Sequence, residues 1–189
     1  MMTMHDIVAD YIRRFRESAE KEQYWFAIQC TFEEAVSHAA LAVSQSGRRF
    51  SHQRRIPQAV LAESRRRLVA SLSALSKSQT FEALHNTVAA VIWPIHGIGE
   101  LTIYDTALRI GANLQLEPTV VFLHAGTREG ARHLGLSVSR KFIPVAEFPR
   151  AFQELKPRQI EAILCIYKGE FGIDVTPRPS GSGCVLQDG

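Results

Sequence analysis

The stretch Pro94-Ile95-His96-Gly97-Ile98-Gly99 constrains this chain more than any other. Before it, Leu84, Val88, Val91 and Ile92 recur at helical spacing, and Thr80 is suited to cap a helix over 81–93. After it, Leu101, Tyr104, Leu108 and Gly111 share one face of a helix over 100–111. Two helices joined by so few residues must reverse direction and pack together. Gly97 and Gly99 supply the unusual backbone angles that this requires, and Ile95 and Ile98 are expected to point inward. The turn also leaves the first amides of the second helix uncovered. Unpaired donors and the helix dipole favour an anion there.

The rest of the chain reads as more helix. Ile7, Val8, Tyr11, Ile12 and Phe15 predict an amphipathic helix over 4–20, with Thr3 as its cap. A second, alanine-rich and apolar nearly all round, is expected over 23–44, central in the fold and ended by Gly47. Pro57 suits the start of a third over 57–75. Gly111 or Asn113 is expected to end the helix that follows the turn. Residues 119–123 are read as a buried helical turn, because no second strand offers itself as a partner. Thr127 would cap a short helix ending at Gly135, the segment 136–149 reads as irregular, and Pro157 begins a last helix. The predicted fold is mainly α: a compact multi-helix single domain over 1–175, with a flexible tail over 176–189.

Composition excludes several classes. The chain has 189 residues, of which 46% are hydrophobic and 22% charged, and such a chain folds without a metal or disulfide staple. Cys30, Cys165 and Cys184 are far apart and odd in number, which fits free thiols and a cytoplasmic protein. No apolar run is long enough to span a membrane. The histidines lack metal-ligand spacing, so no metal site is expected. Trp25, Trp93 and Cys165 fall at apolar helical positions and are expected in the core.

The charge is uneven. Between residues 40 and 80, eight cations face one acid, Glu63, whereas the whole chain carries only +3. Arg48, Arg49, Arg54 and Arg55 lie in the loop 46–56, with Phe50 and His52 interleaved. Arginines there suit backbone phosphates, and the rings suit stacking on a base. On the helix after the turn, Thr102, Asp105, Thr106, Arg109 and Asn113 form one polar stripe, in which Asp105 and Arg109 are spaced to pair.

Residues 81–111 resemble the helix-hairpin-helix motif of DNA repair and recombination proteins. The resemblance implies that His96, Gly97, Ile98, Gly99 and Thr102 hold a nucleic-acid phosphate. It also implies no cofactor beyond a monovalent cation on the turn carbonyls. The sequence departs from the motif at Glu100, where a basic or small residue is common, and in the spacing from Gly99 to Ala107. Glycosylases of this class place a catalytic aspartate about two dozen residues past the hairpin, and Val121–Gly126 contains none. The expected function is therefore non-enzymatic, largely sequence-independent DNA binding. One alternative is a helical adaptor or regulatory subunit for an acidic protein partner. The other is a small-anion or nucleotide-binding enzyme using His124, Thr127, Arg128 and Arg132, where Gly126-Thr127 opens a helix.

Overall fold

A capping box opens the chain. Thr3 Oγ1 accepts from the Asp6 amide while the Asp6 carboxylate accepts from the Thr3 amide. In the computed structural model, which describes residues 2–171, this cap starts α1 (Met4–Tyr11). The helix runs on through a π-helical segment, Ile12–Arg16, into α2 (Glu17–Ala27). The expected break near residue 21 is thus absent and falls at residues 28–31 instead. A second capping box explains the position: Thr31 and Glu34 bond reciprocally and start α3 (Phe32–Leu41). Ala42, with φ 53°, ends α3, and Gly47 only turns the loop beyond it.

The third helix is also divided. α4 (Gln58–Ala70) stops where Ser71 leaves helical angles, and α5 (Leu72–Ser76) follows. α6 (Phe81–Ile92) is capped by Thr80 Oγ1, as the sequence predicts. α7 (Glu100–Leu114) runs past Gly111 and Asn113 and ends at Gln115, which takes the left-handed conformation at φ 58°. Gly111 lies inside the helix, where a Cβ would stand 2.7 Å from the Leu116 carbonyl oxygen.

Residues 119–123 are not helical. Val121–Phe122 forms β1, antiparallel to β2 (Phe142–Ile143), with Val121 opposite Ile143 and Phe122 opposite Phe142. The partner strand lies in the stretch read as irregular, which otherwise holds one 3-10 turn, Val145–Glu147. β-Branched and aromatic residues favour the pleated surface once a partner arrives. α8 (Ala125–His133) has His124 at its N-cap and Thr127 in its first turn, and α9 (Pro157–Ile166) begins at the predicted proline. The predicted tail over 176–189 lies outside the described residues.

α7 is the central helix, packed against α2, α3 and α6. Its Tyr104, Ala107 and Ile110 join Phe26, Leu68, Leu84 and Val88 in one buried cluster. A second cluster lies between α1 and α9, with Ile7, Tyr11, Phe152, Ile160 and Ile163. Among the described residues, no helix is long and apolar enough to cross a membrane.

Two close contacts fix the second cluster. At Gly130 an added Cβ would stand 2.3 Å from the Leu164 carbonyl oxygen, so α8 and α9 meet backbone to backbone. Gly130→Ala is expected to cost about 3 kcal/mol in urea unfolding, because the helices themselves must separate. At the other end, the Tyr167 hydroxyl donates to Asp10 at 2.7 Å, joining α1 to the residue after α9. That bond, with Arg13 and Arg14, lowers the Asp10 pKa to about 2. A carboxylate lowered on folding contributes stability that is full above its unfolded pKa, near 4, and lost as pH falls towards 2. Acid titration of unfolding should therefore show a shallower loss between pH 4 and 2 for Asp10→Asn than for the wild type.

Candidate nucleic-acid interface and adjoining cavity

The turn between α6 and α7 is built from two short backbone bonds. The Ile95 amide donates to the Ile92 carbonyl at 3.0 Å and the Ile98 amide to the Ile95 carbonyl at 3.1 Å. Ile95 and Ile98 are buried, as expected. Gly97 has φ +96°, a conformation that L side chains rarely adopt, and it lies over Val60 of α4. Gly99 differs from the expectation: at φ −116° and ψ 175° it is extended backbone, open to any residue.

Gly99 is the N-cap of α7 and supplies no capping side chain. The amides of Glu100, Leu101 and Thr102 have no hydrogen-bond partner among the described residues. Four exposed residues, His96, Gly97, Gly99 and Glu100, surround this end of the helix. The Glu100 carboxylate is answered by Arg128, whose Nη2 donates to Oε1 at 3.0 Å. Arg128 also donates to the Leu123 carbonyl, which holds it in place. The acid beside the free amides is thus neutralised from α8.

The polar stripe of α7 faces inward. Thr102, Thr106 and Arg109 are buried. The expected Asp105–Arg109 pair is not made, because each residue has a partner from elsewhere in the chain. Asp105 meets His52 at 2.7 Å. Arg109, 3% exposed, donates to Gln53 Oε1 at 2.8 Å and to Glu22 at 3.2 Å. Its guanidinium stacks on the Phe50 ring at 3.9 Å. Phe50 therefore supports Arg109 and packs on the core instead of standing free for a base. Helical spacing alone does not reveal these contacts, because the partners come from α2 and the basic loop, far away in sequence.

The loop arginines divide accordingly. Arg49 donates to the Ile56 carbonyl at 2.8 Å and shapes the loop. Arg48, Arg54 and Arg55 are exposed, and their guanidinium groups have no hydrogen-bond or ion-pair partner among the described residues. This loop leads into α4, the helix that Gly97 touches.

His124 and Thr127 bond to each other, and His124 also bonds to α9. The His124 amide donates to Thr127 Oγ1 at 2.7 Å, and that hydroxyl donates back to the His124 carbonyl. His124 Nε2 lies 2.5 Å from Glu161 Oε1 on α9. Burial pushes the Glu161 carboxyl up, against the opposing effect of His124. Arg132 is exposed.

The sequence reading misses a cavity of about 520 Å³ bounded by α6, the start of α7, β1 and β2. Trp93, expected in the core, stands at its mouth and is 58% exposed. His85, Tyr104, Phe122 and Phe142 line it, and His124 and Glu100 reach its edge. The cavity thus adjoins both regions that the sequence singles out. Its one sequence signal is the aromatic content of Val121–Phe122 and Phe142, which becomes legible only once the strands pair. No group of three or more His, Cys, Asp or Glu side chains gathers in a metal-binding arrangement among the described residues.

No family model matches this chain, and no curated protein or solved structure matches it.

Arg109→Met keeps the length of the side chain and strands Glu22 and Gln53. It is expected to cost about 2 kcal/mol in urea unfolding, tempered by the partial exposure of Glu22. Limited trypsin digestion should then cut the loop 48–56 faster than in the wild type, where Arg109 anchors it.

Proposed function

We propose that the protein binds the sugar–phosphate backbone of DNA with little sequence preference and without catalysis. The observation that carries this reading is the open start of α7. Three consecutive amides lack partners there, at the exposed end of a 15-residue helix, beside a carboxylate already paired with Arg128. A phosphate oxygen accepts such amides and gains from the helix dipole. Arg48, Arg54 and Arg55 supply free cations from the loop that precedes α4. In this reading Gly97 shapes the turn, and Gly99 keeps the amides uncovered. His96 borders the phosphate and Thr102 offers its backbone amide, while Ile98 anchors the turn from below. Contacts of this kind position the protein on a duplex and carry no base information.

The adaptor reading uses the same arginines on an acidic protein but has no need of the amides. Gly99→Asp separates the two. Nothing lies within 4 Å of a Cβ at this position, so the variant folds. Its carboxylate caps the free amides and repels phosphate, while helix stability is unchanged or slightly raised. Binding of a short fluorescent duplex should weaken as salt rises, and Gly99→Asp should lose most of the affinity at each salt concentration. Removing Arg54 and Arg55 together should reduce the slope of log affinity against log salt by about 2. Absence of duplex binding at low salt overturns the DNA reading. Full affinity in Gly99→Asp removes the amides from it.

A further inference from the structure

We propose that the cavity between α6 and the β1–β2 pair binds a small, neutral aromatic molecule carrying an N–H or O–H that makes a hydrogen bond with His85. The proposal stands independently of the DNA reading.

The cavity has the size and character of a ligand site. About 520 Å³ lies within the usual range for small-molecule pockets, and most of its wall is carbon. The wall is also aromatic. The His85 ring lies 4.5 Å from Phe122, and Phe122 in turn contacts Tyr104 at 5.6 Å and Phe142 at 6.2 Å. Such a surface favours a flat ring, which can stack or meet edge to face. Trp93 and Phe142 are two of the few large apolar side chains left exposed, and both line this cavity. Exposed aromatics gathered at one opening mark a contact surface.

Two polar atoms give the site its chemistry. His85 Nδ1 and the Tyr104 hydroxyl are buried and have no hydrogen-bond partner among the described residues. Tyr104 is only 2% exposed. Buried polar atoms are nearly always paired, and leaving one unpaired costs about 1–3 kcal/mol. Both residues line the cavity, and a ligand N–H or O–H that displaces the imidazole slightly meets an unused acceptor on His85. Burial lowers the His85 pKa, so the imidazole is neutral and one ring nitrogen is an acceptor.

The charged groups on the wall argue for a neutral ligand. Glu82 accepts from the Thr119 amide and hydroxyl, and Glu100 accepts from Arg128. Lys141 is exposed at the strand end and offsets the remaining acid. No single sign dominates.

The test uses N-phenyl-1-naphthylamine, a neutral fused aromatic with one N–H whose fluorescence rises in an apolar site. Saturable one-to-one binding by the full chain is expected. Ala90→Trp places an indole on the cavity wall at an exposed helix position and should weaken binding at least tenfold. His85→Phe keeps the ring and removes the nitrogen, and should weaken binding about fivefold. Gly99→Asp should bind the probe like the wild type, so this proposal and the DNA reading fail separately. Circular dichroism confirms that each variant is folded. Absence of saturable binding, or unchanged affinity in folded Ala90→Trp, overturns the site. Loss in Ala90→Trp with full affinity in His85→Phe overturns the hydrogen bond and with it the proposed ligand class.

Discussion

The fold depends on two buried arginines whose charges are answered from one helix. Arg109 on α7 is 3% exposed and Arg158 on α9 is 6% exposed. Glu22 of α2 meets Arg109, and Glu20 of α2 meets Arg158 at 2.6 Å. A guanidinium removed from water must recover its hydration as hydrogen bonds and ion pairs, or the chain cannot bury it. α2 must therefore lie alongside both α7 and α9. Asn113 adds to this by donating to the Phe26 and Ala27 carbonyls at the end of α2. The two apolar clusters meet around a seam of paired charge, in which Arg158 Nε has no hydrogen-bond partner among the described residues, and that seam sets their relative placement. Apolar contact alone is non-directional and would allow α2 to slide.

This constraint explains which parts of the fold were legible in the sequence. Thr80 and Pro157 mark helix starts through local chemistry, and both appear where the sequence puts them. Thr31 and Glu34 carried the same kind of signal. The apolar, alanine-rich pattern around them reads as one continuous helix, and the capping box prevails because it satisfies amides that the helix interior cannot. Val121–Phe122 was illegible for a different reason. A two-residue strand has no periodicity, and its partner lies some twenty residues away beyond a helix. Pairing of this kind is set by tertiary packing and not by propensity.

The site was legible in its turn and not in its surroundings. Ile95, Gly97 and Ile98 behave as their residue types require, because burial and positive φ are local demands. Gly99 shows the limit of that logic. A glycine signals freedom to adopt unusual angles, but extended backbone needs no glycine, so its role here is the side chain it lacks. The polar stripe of α7 carries a further lesson. Helical spacing tells which residues share a face, and it says nothing about what that face meets. Arg109 shares its face with Thr102 and Thr106, and all three lie inside because Glu22, Phe50 and Gln53 come to meet Arg109.

The sorting of arginines follows from the same electrostatics. Arg109 and Arg158 are bound to acids of α2, and Arg128 is bound to Glu100. Arg66 and Arg67 share Glu63, whose carboxyl is held down to about 2 mainly by those two side chains. Within residues 40–80 the one acid is thus taken by two of the eight cations, and Arg49 and Arg65 are spent on the Ile56 carbonyl and the Ser37 hydroxyl. Arg48, Arg54 and Arg55 remain unpaired in one short loop, close in sequence to the helix that supports Gly97. An exposed pair with a carboxylate would add little stability, so leaving these three unpaired costs the fold almost nothing. It keeps three delocalised, always-charged donors available to an anion outside the chain. Net charge is thus a poor guide to a partner for this protein. The informative quantity is the charge that remains after the fold has satisfied its own carboxylates, and the loop leading to α4 holds three such arginines within eight residues.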